Sequence, residues 1–339
     1  MEVTVRGAGV AGLSAAFACA RRGAKVRVVD PRGVGAGASG GVVGALAPHV
    51  PENWNPKKAF QLESLLMSAD WWAAVAEIGG GDPGYARDGR LQPVPDEAAR
   101  ERAEERARGA EALWQGRATW RVETSPEGWG PGTALAIRDS LSGRLHPERA
   151  CHALADAIRA LGGEVVPEGE DRGAVIHATG WRGLEALRNE AGRPAGAGIK
   201  GQAAVLGLDR RGLPQLFADG LHVVPHADGT VAVGSTSERA FDGEATTDAA
   251  LDDVVTRARA AVPALRDAPV LRRWAGVRPR ARSRAPMLGA WPGRAGHFVH
   301  NGGFKIGFGV APLCAELLAD LVLEGRDAIP EGFRVKASL

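Results

Sequence analysis

The sequence predicts an α/β protein whose amino-terminal part is a strand–turn–helix–strand unit. Three observations carry this. Gly7-Ala8-Gly9-Val10-Ala11-Gly12 lies between a short apolar strand and an apolar helix. A second valine-rich strand follows at once and is closed by the acid Asp30. Further helix-period and strand-period segments then alternate along the chain, which is the pattern of an α/β protein.

The first strand covers Val3–Arg6, and the helix runs on through Leu13–Arg22 with Gly23 as its stop. Lys25–Val29 is the second strand, and the glycine-rich stretch Pro31–Gly44 reads as a loop that brings backbone close to a ligand. Helices are expected over Lys57–Ile78 and Asp96–Trp114; the charges of the second make a solvated face. After His146-Pro147, the residues Cys151, Leu154, Ile158 and Leu161 recur at helical spacing, Gly162-Gly163 ends the helix, and Glu164–Pro167 is a strand. Ala174–Ala178 is a buried strand. Leu221–Pro225 and Val231–Gly234 flank the turn His226-Ala227-Asp228-Gly229, a hairpin signal. Asp248–Val262 is helical, Val270–Trp274 and His297–His300 are strands, and Ala311–Leu323 is the last helix.

The 339 residues suffice for two structural domains, and 45% hydrophobic with 24% charged residues is an ordinary globular balance. A net charge of +2 gives no reason to expect a nucleic-acid or membrane-surface partner. The three cysteines, Cys19, Cys151 and Cys314, lie far apart without CxxC spacing, against a zinc site or a disulfide framework and for a reducing compartment. No run approaches the ~18 apolar residues of a membrane span. The glycines of the amino terminus fit the strand–turn–helix unit better than a signal peptide, so the expected location is cytoplasmic.

In the first turn each residue type has a physical role. Gly7 permits the tight turn, Gly9 lets backbone approach a pyrophosphate, and Gly12 lets helix and strand pack closely. The helix start at Val10 and Ala11 offers free N–H groups to an anion. Asp30, followed by Pro31, can accept hydrogen bonds from ribose hydroxyls and would repel a 2′-phosphate, which disfavours NADP. NAD and FAD are not distinguished by this motif.

Four further segments resemble the D-amino-acid oxidase-like superfamily of FAD-dependent oxidoreductases, which includes glycine oxidase, sarcosine oxidase and the FAD domain of a tRNA-modifying oxidase. They are Gly35–Pro48 (GAGASGGVVGALAP), Ala178-Thr179-Gly180-Trp181, Trp274–Pro279 (WAGVRP) and Asn301–Pro312 (NGGFKIGFGVAP). Their order spans nearly the whole chain. The resemblance implies FAD and a doubly wound, Rossmann-like FAD domain from residues 1–75, 145–190 and 275–339. An inserted antiparallel-sheet substrate domain would comprise 76–144 and 191–274. It places Ala38, Ser39, Gly40, Gly44, Ala45 and Leu46 beside the pyrophosphate and flavin. Val166 would touch the adenine through backbone, and Gly302, Gly303, Phe304 and Ile306 would line the flavin. Sarcosine-oxidase-like relatives attach flavin through a cysteine near WAGVRP; this chain has none there, so the FAD is expected to be non-covalent.

By the same resemblance, Arg278 binds a substrate carboxylate, for which a planar guanidinium is well shaped. Lys305 supplies a second positive charge there. His222 occupies a position where glycine-oxidase-like sequences carry a tyrosine; a histidine there can hydrogen-bond the substrate amine or accept its proton near neutral pH. His49, behind the flavin loop, is a comparable candidate. Lys200, in Gly198–Gln202, either promotes the oxygen reaction or packs near the site. The run Arg278-Pro-Arg280-Ala-Arg282-Ser-Arg284 departs from the family; pairing of three of these arginines with acids such as Asp30, or with flavin phosphates, is favoured over an unusually anionic substrate. The implied chemistry is oxidation of a small amine or amino acid by hydride transfer to flavin N5, giving an imine and, with oxygen, hydrogen peroxide. The alternatives are a dehydrogenase with a quinone or protein acceptor, a tRNA-modifying amine oxidase, and a non-catalytic flavoprotein. Oligomeric state is open.

Overall fold

The structure is a computed structural model that describes residues 1–339. Two sheets organise it. The first has six strands in the order Met287–Ala290, His297–Asn301, Ala174–His177, Glu2–Arg6, Lys25–Val29 and Glu164–Val166. Neighbours are parallel except Met287–Ala290, which joins its neighbour as an antiparallel hairpin. Helix Val10–Arg21 packs against helices Pro147–Ala160 and Gly307–Glu324, and Pro56–Gly79 packs against the latter two. The largest core cluster binds these elements, with Phe17 edge-on to Trp71 at 5.2 Å between ring centroids.

The second sheet has eight strands in the order Val270–Ala281, Gly196–Leu206, Val231–Gly234, Leu221–Pro225, Gln215–Ala218, Arg90–Val94, Leu135–Asp139 and Trp120–Thr124. Its pairings are antiparallel apart from Gln215–Ala218 on Arg90–Val94. That parallel pair arises because the intervening chain returns through the first sheet before the edge is completed, so no hairpin joins them. Helix Ala249–Ala261 covers this sheet with its own core around Leu251, Val254 and Val255.

Several elements extend further than the sequence implies. The last helix begins at Gly307, four residues early, because the glycines of its first turn let it lie against neighbours: Gly309 is buried beside Leu65. The strand Val270–Ala281 runs across residue 275, where the last FAD-domain segment was expected to begin, so Arg278 hangs from the second sheet. Within that strand Arg278 and Arg280 share a face by alternation, whereas Arg282 and Arg284 lie beyond its end. No helix is long and apolar enough to cross a membrane.

Candidate active site

A cavity of about 700 Å³ is lined by residues of both sheets. One part of its wall is the turn at the end of strand Glu2–Arg6. Gly7 holds φ +115, and a Cβ there would stand 2.3 Å from the Ala178 carbonyl oxygen; a Cβ at Gly12 would stand 1.9 Å from that of Gly7. Side chains are therefore excluded at both positions by backbone, which brings the turn and helix Val10–Arg21 close to Ala178. Gly9, which caps that helix with no side chain of its own, faces the cavity. Ser39 Oγ accepts from Val10 N at 3.0 Å. Asp30 Oδ2 accepts from Ala8 N at 2.9 Å and its Oδ1 from Arg32 N at 3.0 Å, and both Asp30 and Arg32 line the cavity. The backbone cradle, the helix start and the acid together fit the pyrophosphate and ribose of a dinucleotide.

The other expected cofactor segments converge on the same space. Val10 and Ala11, Ala38 and Ser39, Gly44 and Ala45, Ala178–Trp181 and Gly302–Lys305 all line it. Gly44 can do so only as glycine, since a Cβ would lie 1.8 Å from the Leu145 carbonyl oxygen. Besides Gly7 and Gly12, which lie behind the turn, six expected residues stand back from the wall. Pro31 is exposed, Gly40 closes a turn against Gly35, and Leu46 is a core residue at 1% exposure. The Val166 carbonyl accepts from Asp30 N at 3.1 Å, which fixes the acid rather than facing the cavity. Ile306 packs into the cluster around Val310 and Cys314. His49 also lies outside: its backbone N–H donates to Gln61 Oε1 at 2.8 Å, and its ring Nδ1 bonds to the same oxygen.

Arg278 projects into the cavity from the second sheet. Its Nη2 donates to Ser235 Oγ at 2.6 Å and Nη1 to the Thr236 carbonyl at 3.3 Å, both neutral acceptors. A Cβ at Gly201 would stand 1.8 Å from Nη2, so the guanidinium lies flat over a residue that must lack a side chain. Dehydration pushes its pKa down to about 10, with Glu238 opposing. The site thus presents a recessed guanidinium with no carboxylate of the protein upon it. Lys305 is exposed at the same cavity, and dehydration followed by Arg278 and Arg280 lowers its pKa.

His222 lines the cavity with its ring 4.7 Å from that of Phe217, and its buried Nδ1 has no partner. Burial, then Arg90 and Lys305, pushes its pKa down to about 3. The expected titration near neutral pH is therefore corrected: His222 is a neutral hydrogen-bonding group and a weak base. The favoured pairing of the arginine run with acidic side chains is corrected too, which leaves flavin phosphates as the other partner that expectation named. None of Arg278, Arg280, Arg282 and Arg284 forms an ion pair with an acidic side chain; Arg282 donates to the Pro194 and Leu339 carbonyls instead. Lys200, 1% exposed, faces Glu238 and Thr246 away from the cavity.

Other residues of the wall gave little sign in the sequence. His300 has a buried, unpartnered Nδ1 and a pKa held at about 4 by burial. Trp274, visible in the sequence only as the first residue of WAGVRP, covers Gly276, where a Cβ would meet its ring at 2.5 Å. Ser235 and Thr236, the acceptors for Arg278, follow the hairpin that the sequence did reveal, yet nothing marks them as functional. None of the three cysteines lines the cavity; all are free and buried.

Residues 2–321 match the family model DAO, FAD dependent oxidoreductase. The chain is 30% identical over 344 residues to a putative thiamine biosynthesis oxidoreductase ThiO of Rhizobium etli, covering 95% of this chain and 97% of that one. It is also 30% identical over 207 residues to a glycine oxidase of Pseudomonas aeruginosa, a stretch of 59% of this chain and 56% of that enzyme. Among solved structures, iminodiacetate oxidase from Chelativorans sp. BNC1 superposes with TM-score 0.84 at 23% identity, each chain covered to 98%. Glycine oxidase from Geobacillus kaustophilus does so with 0.83 at 22%, covering 98% of this chain and 97% of that one. With the dinucleotide cradle, the two-sheet architecture and a family match running through nearly the whole length, the chain belongs to the DAO family of FAD dependent oxidoreductases.

Proposed function

We propose that the protein oxidises a small carboxylated amine or amino acid to the imine, with FAD as the resident cofactor and oxygen as the terminal acceptor. The observation that carries this reading is Arg278, recessed in the cavity wall with only neutral hydrogen-bond acceptors on it. A substrate carboxylate supplies the missing anion through charge-assisted hydrogen bonds, and the flat guanidinium over Gly201 fixes its orientation. Lys305 adds a second positive charge on the same side. His222, neutral at working pH, offers its unpartnered Nδ1 as an acceptor to an N–H of the substrate amine and so orients it. Trp274 and Phe304 give the chamber an apolar wall that limits water around the reacting carbon. FAD, when bound, supplies the two-electron acceptor for loss of the substrate C–H. The imine product hydrolyses in water once released.

The three buried free thiols fit a reducing, cytoplasmic setting. The reading is tested by oxygen uptake and peroxide formation with amino acids and N-methyl glycines. Turnover of carboxylated amines, lost on replacing the carboxylate by an amide, is the expected result. Anaerobic reduction without reoxidation in air would replace oxygen by a quinone or protein acceptor. No turnover of any carboxylated amine would overturn the substrate assignment.

A further inference from the structure

The strand Val270–Ala281 carries two kinds of arginine. In its first half, Arg272 pairs with Glu148 at 2.9 Å and Arg273 with Asp252 at 2.7 Å. In its second half, Arg278 and Arg280 have no acidic side chain within 4.0 Å. These two lie on one face, two residues and so roughly 7 Å apart along the strand. The guanidinium of Arg280 sits 5.6 Å from the centroid of the Phe304 ring, and Lys305 Nζ lies 5.7 Å from the same ring. Phe304 and Lys305 both line the cavity. Two cations therefore flank one aromatic residue of the wall, displaced along the strand from the guanidinium that faces a first carboxylate.

The acids nearby are already engaged. Glu238 accepts from Thr236 Oγ1 and, at 3.2 Å, from Gln202 Nε2, with Lys200 Nζ at 4.0 Å. Glu244, on the cavity wall, is paired with Arg182. Asp30 accepts from two backbone N–H groups. Arg278 and Lys305 line the cavity and Arg280 stands beside them across the Phe304 ring, so one carboxylate neutralises only one of these three positive groups. Like charges gathered without counter-ions raise one another's free energy, and a ligand carrying matching anions relieves this.

We propose that the substrate is an amine with two anionic groups, one carboxylate held by Arg278 and a second anion held between Arg280 and Lys305 beside Phe304. This deepens the reading above and rests on Arg278 holding the first carboxylate. Arg280 is then a specificity-determining residue. The second anion gains charge-assisted hydrogen bonds at a partly dehydrated site, a differential of about tenfold or more in affinity.

The test uses the FAD-loaded protein and unreactive carboxylates, read by perturbation of the flavin visible spectrum. Acetate probes the first anion position; malonate, succinate and glutarate probe both at increasing separation. At least one dicarboxylate is expected to bind tenfold or more tightly than acetate. Arg280→Gln should abolish that preference by weakening the dicarboxylate tenfold or more and acetate far less, and Arg280→Lys should restore part of it. Melting temperature and FAD content of each variant check that the fold is intact. Equal affinity for acetate and every dicarboxylate would overturn the second anion position and leave Arg278 standing. Equal weakening of both ligand classes in Arg280→Gln would overturn it too, assigning Arg280 to the flavin or the wall. Failure of all carboxylates, unaltered by Arg278→Leu, would overturn both assignments.

Discussion

Nε2 of His226 lies 2.8 Å from the carbonyl oxygen of Val42. His226 belongs to the hairpin of the second sheet and is 2% exposed; Val42 belongs to the glycine-rich loop and faces the cavity. The contact ties the sheet that carries Arg278 to the loop expected beside the flavin. Burial holds the His226 pKa down to about 4, so at neutral pH the ring is uncharged and donates from Nε2. From the other side, Leu145 N donates to the Gly44 carbonyl at 3.1 Å. Both bonds hold the last residues of the loop.

Replacing His226 by phenylalanine removes the donor and leaves the Val42 carbonyl buried without it, a loss of about 1–3 kcal/mol. FAD retention should fall by about tenfold or more, read by fluorescence of released flavin, whereas His226→Gln, which keeps an N–H donor, should retain more cofactor. Equal cofactor affinity in both variants would show that the bond does not shape the flavin loop.

Arg278→Leu should raise KM for a carboxylated amine by about 10²–10³-fold, the consequence of losing a charge-assisted pair worth about 3–4 kcal/mol. Bound FAD should be unchanged. Steady-state kinetics separate this from a structural defect, because a structural guanidinium would lower FAD content and melting temperature without favouring amines that lack a carboxylate.

Gly7→Ala and Gly23→Ala make a matched pair. Both glycines have positive φ, +115 and +83, but a Cβ at Gly7 meets the Ala178 carbonyl at 2.3 Å while that at Gly23 meets nothing within 4 Å. Gly23→Ala should cost about 1–2 kcal/mol of backbone strain and keep its flavin. Gly7→Ala must displace the backbone around the cradle and should be purified largely without FAD, as the ratio of visible to ultraviolet absorbance will report.

Acid stability follows from the buried histidines. His226 and His300 are held at about 4 and His222 at about 3, all below the ordinary value of 6.5. The unfolded chain binds protons at these positions below pH 6.5 while the folded chain does not. Their neutral burial is therefore without penalty above pH 6.5, and stability falls as pH drops from there towards 4, by up to about 1.4 kcal/mol per pH unit for each group. Melting temperatures across this window should decline, and more shallowly in His226→Gln. A flat profile would show that these rings are hydrated in the folded protein.

The dinucleotide end of the site was legible because its determinants are local. Gly7, Gly9, Gly12 and Asp30 lie within one strand–helix–strand unit, and their spacing alone states what the backbone must do. The second sheet was far less visible. Gly196–Leu206 carries glycines at 196, 198 and 201 that weaken the strand pattern, yet Gly201 is there because the Arg278 guanidinium lies across it. Arg90–Val94 contains Pro93 and reads as a break, though it sits within the sheet. Contacts between sequence-distant side chains stayed hidden for the same reason. Arg278 was recognisable from WAGVRP, but its holders Ser235 and Thr236, 43 and 42 residues away, and the Gln61 that takes up His49, 12 residues away, depend on packing. The pKa of His222 could not be read from its residue type, because burial beside Arg90 and Lys305 sets it.

The measurement closest to the central claim is the visible spectrum of the purified protein during anaerobic titration with carboxylated amines and their amide counterparts. Flavin absorbance that bleaches with the carboxylated amines and persists with the amides is the predicted result. A protein that neither carries nor takes up FAD, or one whose bound flavin is untouched by every carboxylated amine, would contradict it.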